Sequence, residues 1–226
     1  MSQKYKPSDY EQKEKEVLEA ISCLKHHGLS INLPESIQRQ LDHTSLFDGD
    51  DALFKRLLPE VEVYFEYGCG KSTEYVYKYS NAKIFAVDTS QEWASKVKAI
   101  APDSNRLHVS WVDVGKLADW GNPVSFEKRH NFSKYTDDVW THGESPDLVV
   151  VDGRFRVCSF LTTLKNAKIG TKVIFDDYSD RPFYHVAEEF LPVVDRCGRQ
   201  ALFIVDENCK SLVTDQVICE FRNVIA

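Results

Sequence analysis

Between Phe65 and Tyr75 the sequence runs FEYGCGKSTEY, and its Gly-Cys-Gly-Lys-Ser-Thr core invites comparison with a phosphate-binding loop. A Walker-type loop needs a glycine five positions before its Gly-Lys pair, so that successive backbone N–H groups curl around the phosphates. Here that position is Phe65, still within a strand, and Lys71 is read as a solvated lysine at the start of a helix. What remains is a short glycine turn between strand and helix, in which Gly68 and Gly70 allow the backbone to approach a ligand closely. Asp88 follows twenty positions after Gly68, at the end of the next strand, where its carboxylate can accept both hydroxyls of a ribose. The third glycine of a dinucleotide motif would fall on Thr73, and a pyrophosphate would lose its close approach to the helix. The pattern suits a nucleoside.

These residues need a scaffold, and from Pro59 onward the chain alternates strand and helix patterns. VEVYFEY, AKIFAVD, RLHVSWVD, PDLVVVD and GTKVIFDD read as strands, and helical stretches fall near Ser72–Tyr79, Gln91–Ile100, Arg156–Ala167 and Arg181–Phe190. That alternation implies a Rossmann-like α/β fold, doubly wound, whose seven strands form a mainly parallel sheet with helices on both faces. QALFIVDE and DQVICEFRNV read as two further strands forming a C-terminal antiparallel hairpin. In a parallel sheet, ligands collect beyond the carboxyl ends of the strands. Acids stand at those ends in series: Glu66, Asp88, Asp113, Asp152 and the pair Asp176–Asp177.

FEYGCGKSTEY, IFAVDTSQEW, WVDVG, PDLVVVDGRFR and VIFDDYSDRPFYHVAEEF, in that order, resemble the motif set of class I S-adenosylmethionine-dependent methyltransferases. The resemblance covers roughly residues 60–190. It implies S-adenosylmethionine as cofactor, with Glu66, Gly68 and Gly70 around its methionine part, Asp88 at the ribose, Asp113 and Val114 at the adenine, and Tyr67, Thr89 and Asp152 as further cofactor-binding residues. Ser72 and Thr73 are read either as contacts to the cofactor's carboxylate at a helix N-terminus or as ordinary caps. Asp113 has a turn-cap alternative.

The chemistry implied is methyl transfer from a sulfonium to a nucleophile, which requires alignment of the acceptor and removal of its proton. Asp152, Asp176 and Asp177 resemble the aspartates that hold magnesium in catechol-type and bacterial sugar O-methyltransferases. Three carboxylates suit a hard cation, so Mg2+ is a candidate second cofactor; the alternative has Asp152 facing the cofactor and one of the pair capping a helix. Catechol-type enzymes carry a lysine base three positions after the first aspartate, and that place is Phe155 here. Asp152, Asp177 and His185 are the candidate catalytic bases, with the alternative that His185 is a half-exposed helix histidine without a role in the chemistry. Arg154 and Arg181 are read as clamps for an anionic acceptor or as partners of Asp180 and Glu188. The aromatic-rich stretch around Lys116–Glu144 is either a lid or packing under a long connection.

Composition limits the remaining choices. The chain has 226 residues, 42% hydrophobic and 28% charged, enough for one sizeable core. Residues 1–59 read as an N-terminal helical extension, with helices over Ser8–His27, Leu33–Phe47 and Gly49–Glu60, and residues 60–226 as the methyltransferase domain. The six cysteines show no metal-ligand spacing and are read as reduced thiols. A formal charge of −7 with scattered basic residues weighs against nucleic acid as substrate. Without an apolar run of about 20 residues or a signal peptide, no membrane association is expected and the cytoplasm is the default location. The expected partner is a small-molecule acceptor, plausibly a hydroxylated sugar or glycan precursor, met by a monomer or homodimer. Two alternatives stand beside it: a metal-independent N-methyltransferase, and an inactive cofactor-binding module.

Overall fold

The computed structural model describes residues 50–225 together with Val17, Leu46 and Phe47. The expected helix over Ser8–His27, most of that over Leu33–Phe47, and Cys23 lie outside the described residues. The chain divides into two compact units, residues 1–52 and 53–226, a division earlier than the change of pattern at Pro59. In the first unit, Asp51 is buried and its carboxylate accepts the backbone N–H groups of Leu46 and Phe47 at 2.9 and 3.1 Å.

The second unit begins inside helix α1 (Ala52–Leu57), which is followed by a 3-10 turn over Leu58–Glu60 that contains Pro59. The sheet follows: β1 (Val63–Tyr67), β2 (Lys83–Asp88), β3 (Leu107–Trp111), β4 (Leu148–Val151), β5 (Lys172–Phe175), β6 (Asp195–Cys197) and β7 (Gln200–Ile204). Its seven strands run in the order β3-β2-β1-β4-β5-β7-β6. The first five in chain order pair in parallel, while β7 is antiparallel to both β5 and β6. The central strands read as unbroken apolar runs, such as Leu148–Val151, because both faces are covered and every side chain is buried. The edge strand β3 carries only one fully buried residue, Leu107.

The helices α2 (Lys71–Tyr79), α3 (Gln91–Lys98) and α5 (Arg156–Asn166) follow β1, β2 and β4 as crossover connections. A short helix α4 (Phe132–Asp137) lies within the long β3–β4 connection. In α5 the residues from Arg156 to Leu164 are all buried, so this helix is covered on both sides. Helices α6 (Glu207–Leu212) and α7 (Asp215–Phe221) close the chain.

Two expected elements differ. DQVICEFRNV is the helix α7 and not a strand: Thr214 accepts the N–H of Val217 as an N-cap, Asp215 lies in the first turn, and Val217, Ile218 and Phe221 share one face. That face packs towards α5, where the Cys158 thiol meets the Ile218 carbonyl at 3.7 Å. The antiparallel hairpin is formed instead by β6 and β7 around Gly198 and Arg199, with Gly198 at φ 55°. Arg181–Phe190 also winds more tightly than expected, as a 3-10 helix over Pro182–Glu189.

The strand order reverses between β1 and β4, the point at which open α/β sheets leave a crevice. Two glycines interlock there. Gly68, at φ +88°, and Gly153 follow β1 and β4; a Cβ on Gly68 would stand 2.8 Å from the Gly153 Cα. A Cβ on Gly153 would meet the Tyr135 hydroxyl at 1.9 Å and the Gly68 nitrogen at 2.7 Å. The glycine expected to make room for a ligand at Gly68 therefore makes room for the chain's own backbone. The expected outcome for Gly153→Ala is a loss of roughly 1–3 kcal/mol or more in urea denaturation, partly recovered in Gly153→Ala/Tyr135→Phe, because the phenol oxygen is the nearest of several obstacles.

Candidate functional site

The carboxyl ends of β1, β2, β4 and β5 bring Glu66, Asp88, Asp152, Asp176 and Asp177 to one edge of the sheet. Glu66 is fully buried and accepts hydrogen bonds from the hydroxyls of Ser72 and Thr73 in the first turn of α2. Burial outweighs those bonds, and the carboxyl is pushed up to about 7. Ser72 and Thr73 are buried and donate to Glu66, so neither hydroxyl proton is turned to a ligand carboxylate; only Thr73 takes part in capping the helix. Thr73 also accepts the Gly70 N–H at 3.0 Å.

Gly70 itself differs from Gly68. It has extended backbone, and a Cβ added there would find no atom within 4 Å. Beside it, Asp88 accepts the N–H of Cys69 at 2.8 Å on one oxygen and that of Ser90 at 2.6 Å on the other. Both oxygens retain lone pairs for further donors. Burial raises this carboxyl despite the two bonds. The result is an open cradle walled by a glycine turn and a carboxylate fixed by backbone amides.

Other expected cofactor neighbours are occupied elsewhere. Tyr67 is fully buried, donates its hydroxyl to the Thr136 carbonyl and accepts the Trp140 indole N–H, both at 2.8 Å, so its side chain belongs to the core. The Thr89 hydroxyl donates to the Gly121 carbonyl at 2.9 Å. Asp113 forms an ion pair with Lys128 and accepts the Gly115 N–H at 3.0 Å, an arrangement that holds it below its usual range and matches the turn-cap alternative. Val114 is buried.

Asp152, Asp176 and Asp177 do converge: one ligand oxygen from each lies within 4.8 Å of the others. Arginines already run through the group. Arg156, 2% exposed, sets one Nη2 contact on Asp152 at 2.9 Å and an Nη1 contact on Asp177 at 3.0 Å. It also donates to the carbonyls of Gly153, Asp176 and Asp152. Asp177 further pairs with Arg181 at 2.8 Å and Arg199 at 2.7 Å, while the Gln200 amide donates to Asp176 at 3.0 Å. A divalent ion at the centre would sit among guanidinium groups that repel it and that already neutralise its ligands. The donor set does not fit magnesium. Burial and mutual repulsion still raise the Asp152 and Asp176 carboxyls. Asp152 is the accessible member, its side chain 32% exposed against 3% for Asp176 and 6% for Asp177.

His185 lies outside this group. Its Nε2 stands 3.1 Å from the Tyr178 carbonyl, and its ring rests against the Tyr178 ring at 4.9 Å. Arg154 lies close to the centre: its backbone N–H donates to the Tyr135 hydroxyl at 3.1 Å and its Nη1 to the Asn122 side chain at 2.8 Å. Asn122 belongs to a small turn closed by the Leu117–Pro123 bridge, and the neighbouring Gly121 is the one held by Thr89. The turn thus links the end of β2 to the end of β4, across the mouth of β1. The aromatic segment is packing in part. Phe132 and Tyr135 are core packing against Phe155, whereas Trp120 and Phe126 are 87% and 51% exposed.

Arg156, Arg199 and Gln200 were not legible as site residues from motif reading. Arg199 and Gln200 arrive through the unexpected hairpin, whose register puts Ala201 opposite Phe175 and hence Gln200 beside Asp176. Three non-glycine residues among those described take left-handed backbone, Trp120, Phe155 and Asp177. All three lie on this edge of the sheet or its overhanging turn, where such strain tends to gather at working sites.

No family model and no curated protein matches the sequence. Among solved structures, the chain is similar to a methyltransferase-like protein (spo2022) from Silicibacter pomeroyi. The two share 30% identity and a TM-score of 0.65, over 85% of this chain and 97% of that one. Fainter likenesses extend to the N-methyltransferase NodS from Bradyrhizobium japonicum with S-adenosyl-L-homocysteine, at 16% identity and TM-score 0.43 over 65% of this chain and 79% of that one. A further one is the 16S rRNA N2 G1207 methyltransferase from T. thermophilus, at 17% and 0.39 over 68% and 39%. The seven-stranded sheet with its antiparallel end is a Rossmann-like methyltransferase fold.

Two outcomes test the electrostatics. A carboxyl raised on folding binds a proton that the unfolded chain has lost, so Glu66 lends stability that is full below about pH 4.5 and declines as pH rises to about 7. The difference between wild type and Glu66→Gln in denaturant unfolding should change by about 3 kcal/mol across that window, at about 1.4 kcal/mol per pH unit. For the arginine, Arg156→Met should cost about 3–5 kcal/mol at neutral pH, with partial recovery on acidification as the stranded aspartates protonate. Wild-type melting temperature should not respond to millimolar magnesium.

Proposed function

The chain belongs to the methyltransferase-like family of the Silicibacter pomeroyi protein, and on that footing we propose that it is an S-adenosylmethionine-dependent methyltransferase acting on a small-molecule acceptor without a metal. The observation that carries this reading is the open cradle at Gly70 beside Asp88, at the point where the strand order reverses. When bound, the cofactor supplies an electrophilic methyl group on a sulfonium. Gly70 and the start of α2 would face its methionine part, and Asp88 would accept the two ribose hydroxyls. Glu66 supports that wall from beneath, through Ser72 and Thr73.

Proton removal falls to Asp152. It is the accessible carboxylate of the cluster, and a raised carboxyl is a better base near neutrality than an ordinary one. Arg156 fixes one of its oxygens and pairs with the carboxylate of Asp177. A hydroxyl or an amine acceptor would use the same base, and the hydroxylated sugar class remains the preferred acceptor. His185 is bound to Tyr178 and is a less direct candidate.

Calorimetric titration with S-adenosylhomocysteine tests the cofactor half. Asp88→Ala should lose roughly 1.5–3 kcal/mol of affinity, the range for hydrogen bonds to a charged group. Gly70→Leu should fold normally, because its side chain enters open space, and yet lose binding. An undiminished dissociation constant in either variant overturns the assignment. Turnover of S-adenosylmethionine with candidate acceptors separates an enzyme from an inactive binding module, and Asp152→Asn should abolish turnover while leaving homocysteine-form affinity within a few fold.

A further inference from the structure

Four arginines serve the carboxyl edge of β4 and β5, and one of them has no acid. Arg156, Arg181 and Arg199 each hold a carboxylate at 2.7–3.0 Å. Among the described residues Arg154 has no carboxylate in ion-pair range, and its guanidinium makes a single hydrogen bond, Nη1 to Asn122. It is nevertheless half-buried, between the Asn122 turn and the Gly153 backbone that interlocks with Gly68. A guanidinium withdrawn from water and offered one neutral partner is poorly compensated. Its remaining N–H groups suit a planar oxyanion.

The side-chain donors at the start of α2 are already engaged. The hydroxyls of Ser72 and Thr73 are committed to Glu66, and the Gly70 N–H is committed to Thr73. Asp88 and Asp152 would repel an anion, so a positively charged side chain beside them favours its entry. Arg154 lies within electrostatic reach of both Asp88 and Asp152. We infer that Arg154 is the oxyanion anchor of this site, taking a carboxylate or phosphate that comes either from the methionyl end of the cofactor or from the acceptor. If the acceptor brings it, the substrate class narrows from neutral sugars to acidic or phosphorylated molecules. The second alternative rests on the methyltransferase reading; the presence of an anion site does not.

The two sources are separated by ligands that differ only in the anion. S-adenosylhomocysteine carries a carboxylate that methylthioadenosine lacks, so both are titrated into wild type, Arg154→Gln and Arg154→Lys, each checked for an unchanged melting temperature. Loss of about 10-fold or more for S-adenosylhomocysteine in Arg154→Gln, with methylthioadenosine unchanged and Arg154→Lys intermediate, supports the anchor and assigns it to the cofactor. Unchanged affinity for both nucleosides, with inorganic phosphate binding present in wild type and lost in Arg154→Gln, supports the anchor and assigns it to the acceptor. Equal losses for the two nucleosides would show that Arg154 only shapes the pocket through Asn122 and would overturn the inference, as would indifference of nucleosides and phosphate alike. Should wild type bind neither nucleoside, the cofactor reading fails, and the phosphate arm on the protein alone still decides the role of Arg154.

Discussion

The carboxyl edge of this sheet depends on one buried guanidinium. Arg156 starts helix α5, is 2% exposed, and reaches the carbonyls of Asp152, Gly153 and Asp176 together with the carboxylates of Asp152 and Asp177. Strand ends leave carbonyls without ladder partners, and buried carbonyls must be satisfied. A lysine offers three donors from one point, whereas the planar fork of arginine spreads its donors over the two adjacent strand ends. The left-handed turn at buried Phe155, φ 53°, immediately precedes Arg156 at the start of the helix. That strain is held in place by the packing of the Phe155 ring against Phe132, tilted, and Tyr135, edge-on.

From this follows the contrast between the two glycines of the first loop. The β4 turn that Arg156 grips is the surface against which Gly68 closes, so Gly68 and Gly153 are dictated by backbone proximity. Gly70, two residues on, is under no such constraint from its own chain. A glycine that nothing in the protein requires, beside a carboxylate organised by two backbone amides, has its simplest explanation in something that approaches from outside.

The order of strand-end acids, the parallel sheet and the Gly-x-Gly turn were legible because each is a local pattern: short apolar runs, an acid closing each run, a glycine pair. The hairpin and α7 were misread for two reasons. DQVICEFRNV is rich in β-branched and aromatic residues, yet Thr214 caps it and Val217, Ile218 and Phe221 fall on one helical face, so burial against α5 overrides strand propensity. The short DRC strand offers almost no apolar signal of its own and exists through pairing with β7. The arginine partners of the aspartates were illegible for a different reason. Arg199 lies far along the chain from Asp152, and only the register of β7 on β5 delivers it. The spacing of the aspartates was correct as a statement of proximity and silent on what else would be proximal.

That silence matters for reading metal sites from sequence. Three clustered carboxylates demand positive charge, but the demand can be met by a cation or by guanidinium groups, and the motif is the same in both cases. Here Arg156, Arg181 and Arg199 meet it, with the Gln200 amide completing the shell of Asp176. Once those three are assigned, Asp152 is left with one oxygen bound to Arg156 and the greatest exposure of the cluster. Arg154 is left, among the described residues, with no carboxylate at ion-pair distance and one hydrogen bond to Asn122. A base and an unsatisfied cation two residues apart, on the loop that closes over Gly68, are what a substrate with a proton to lose and an anion to anchor would require.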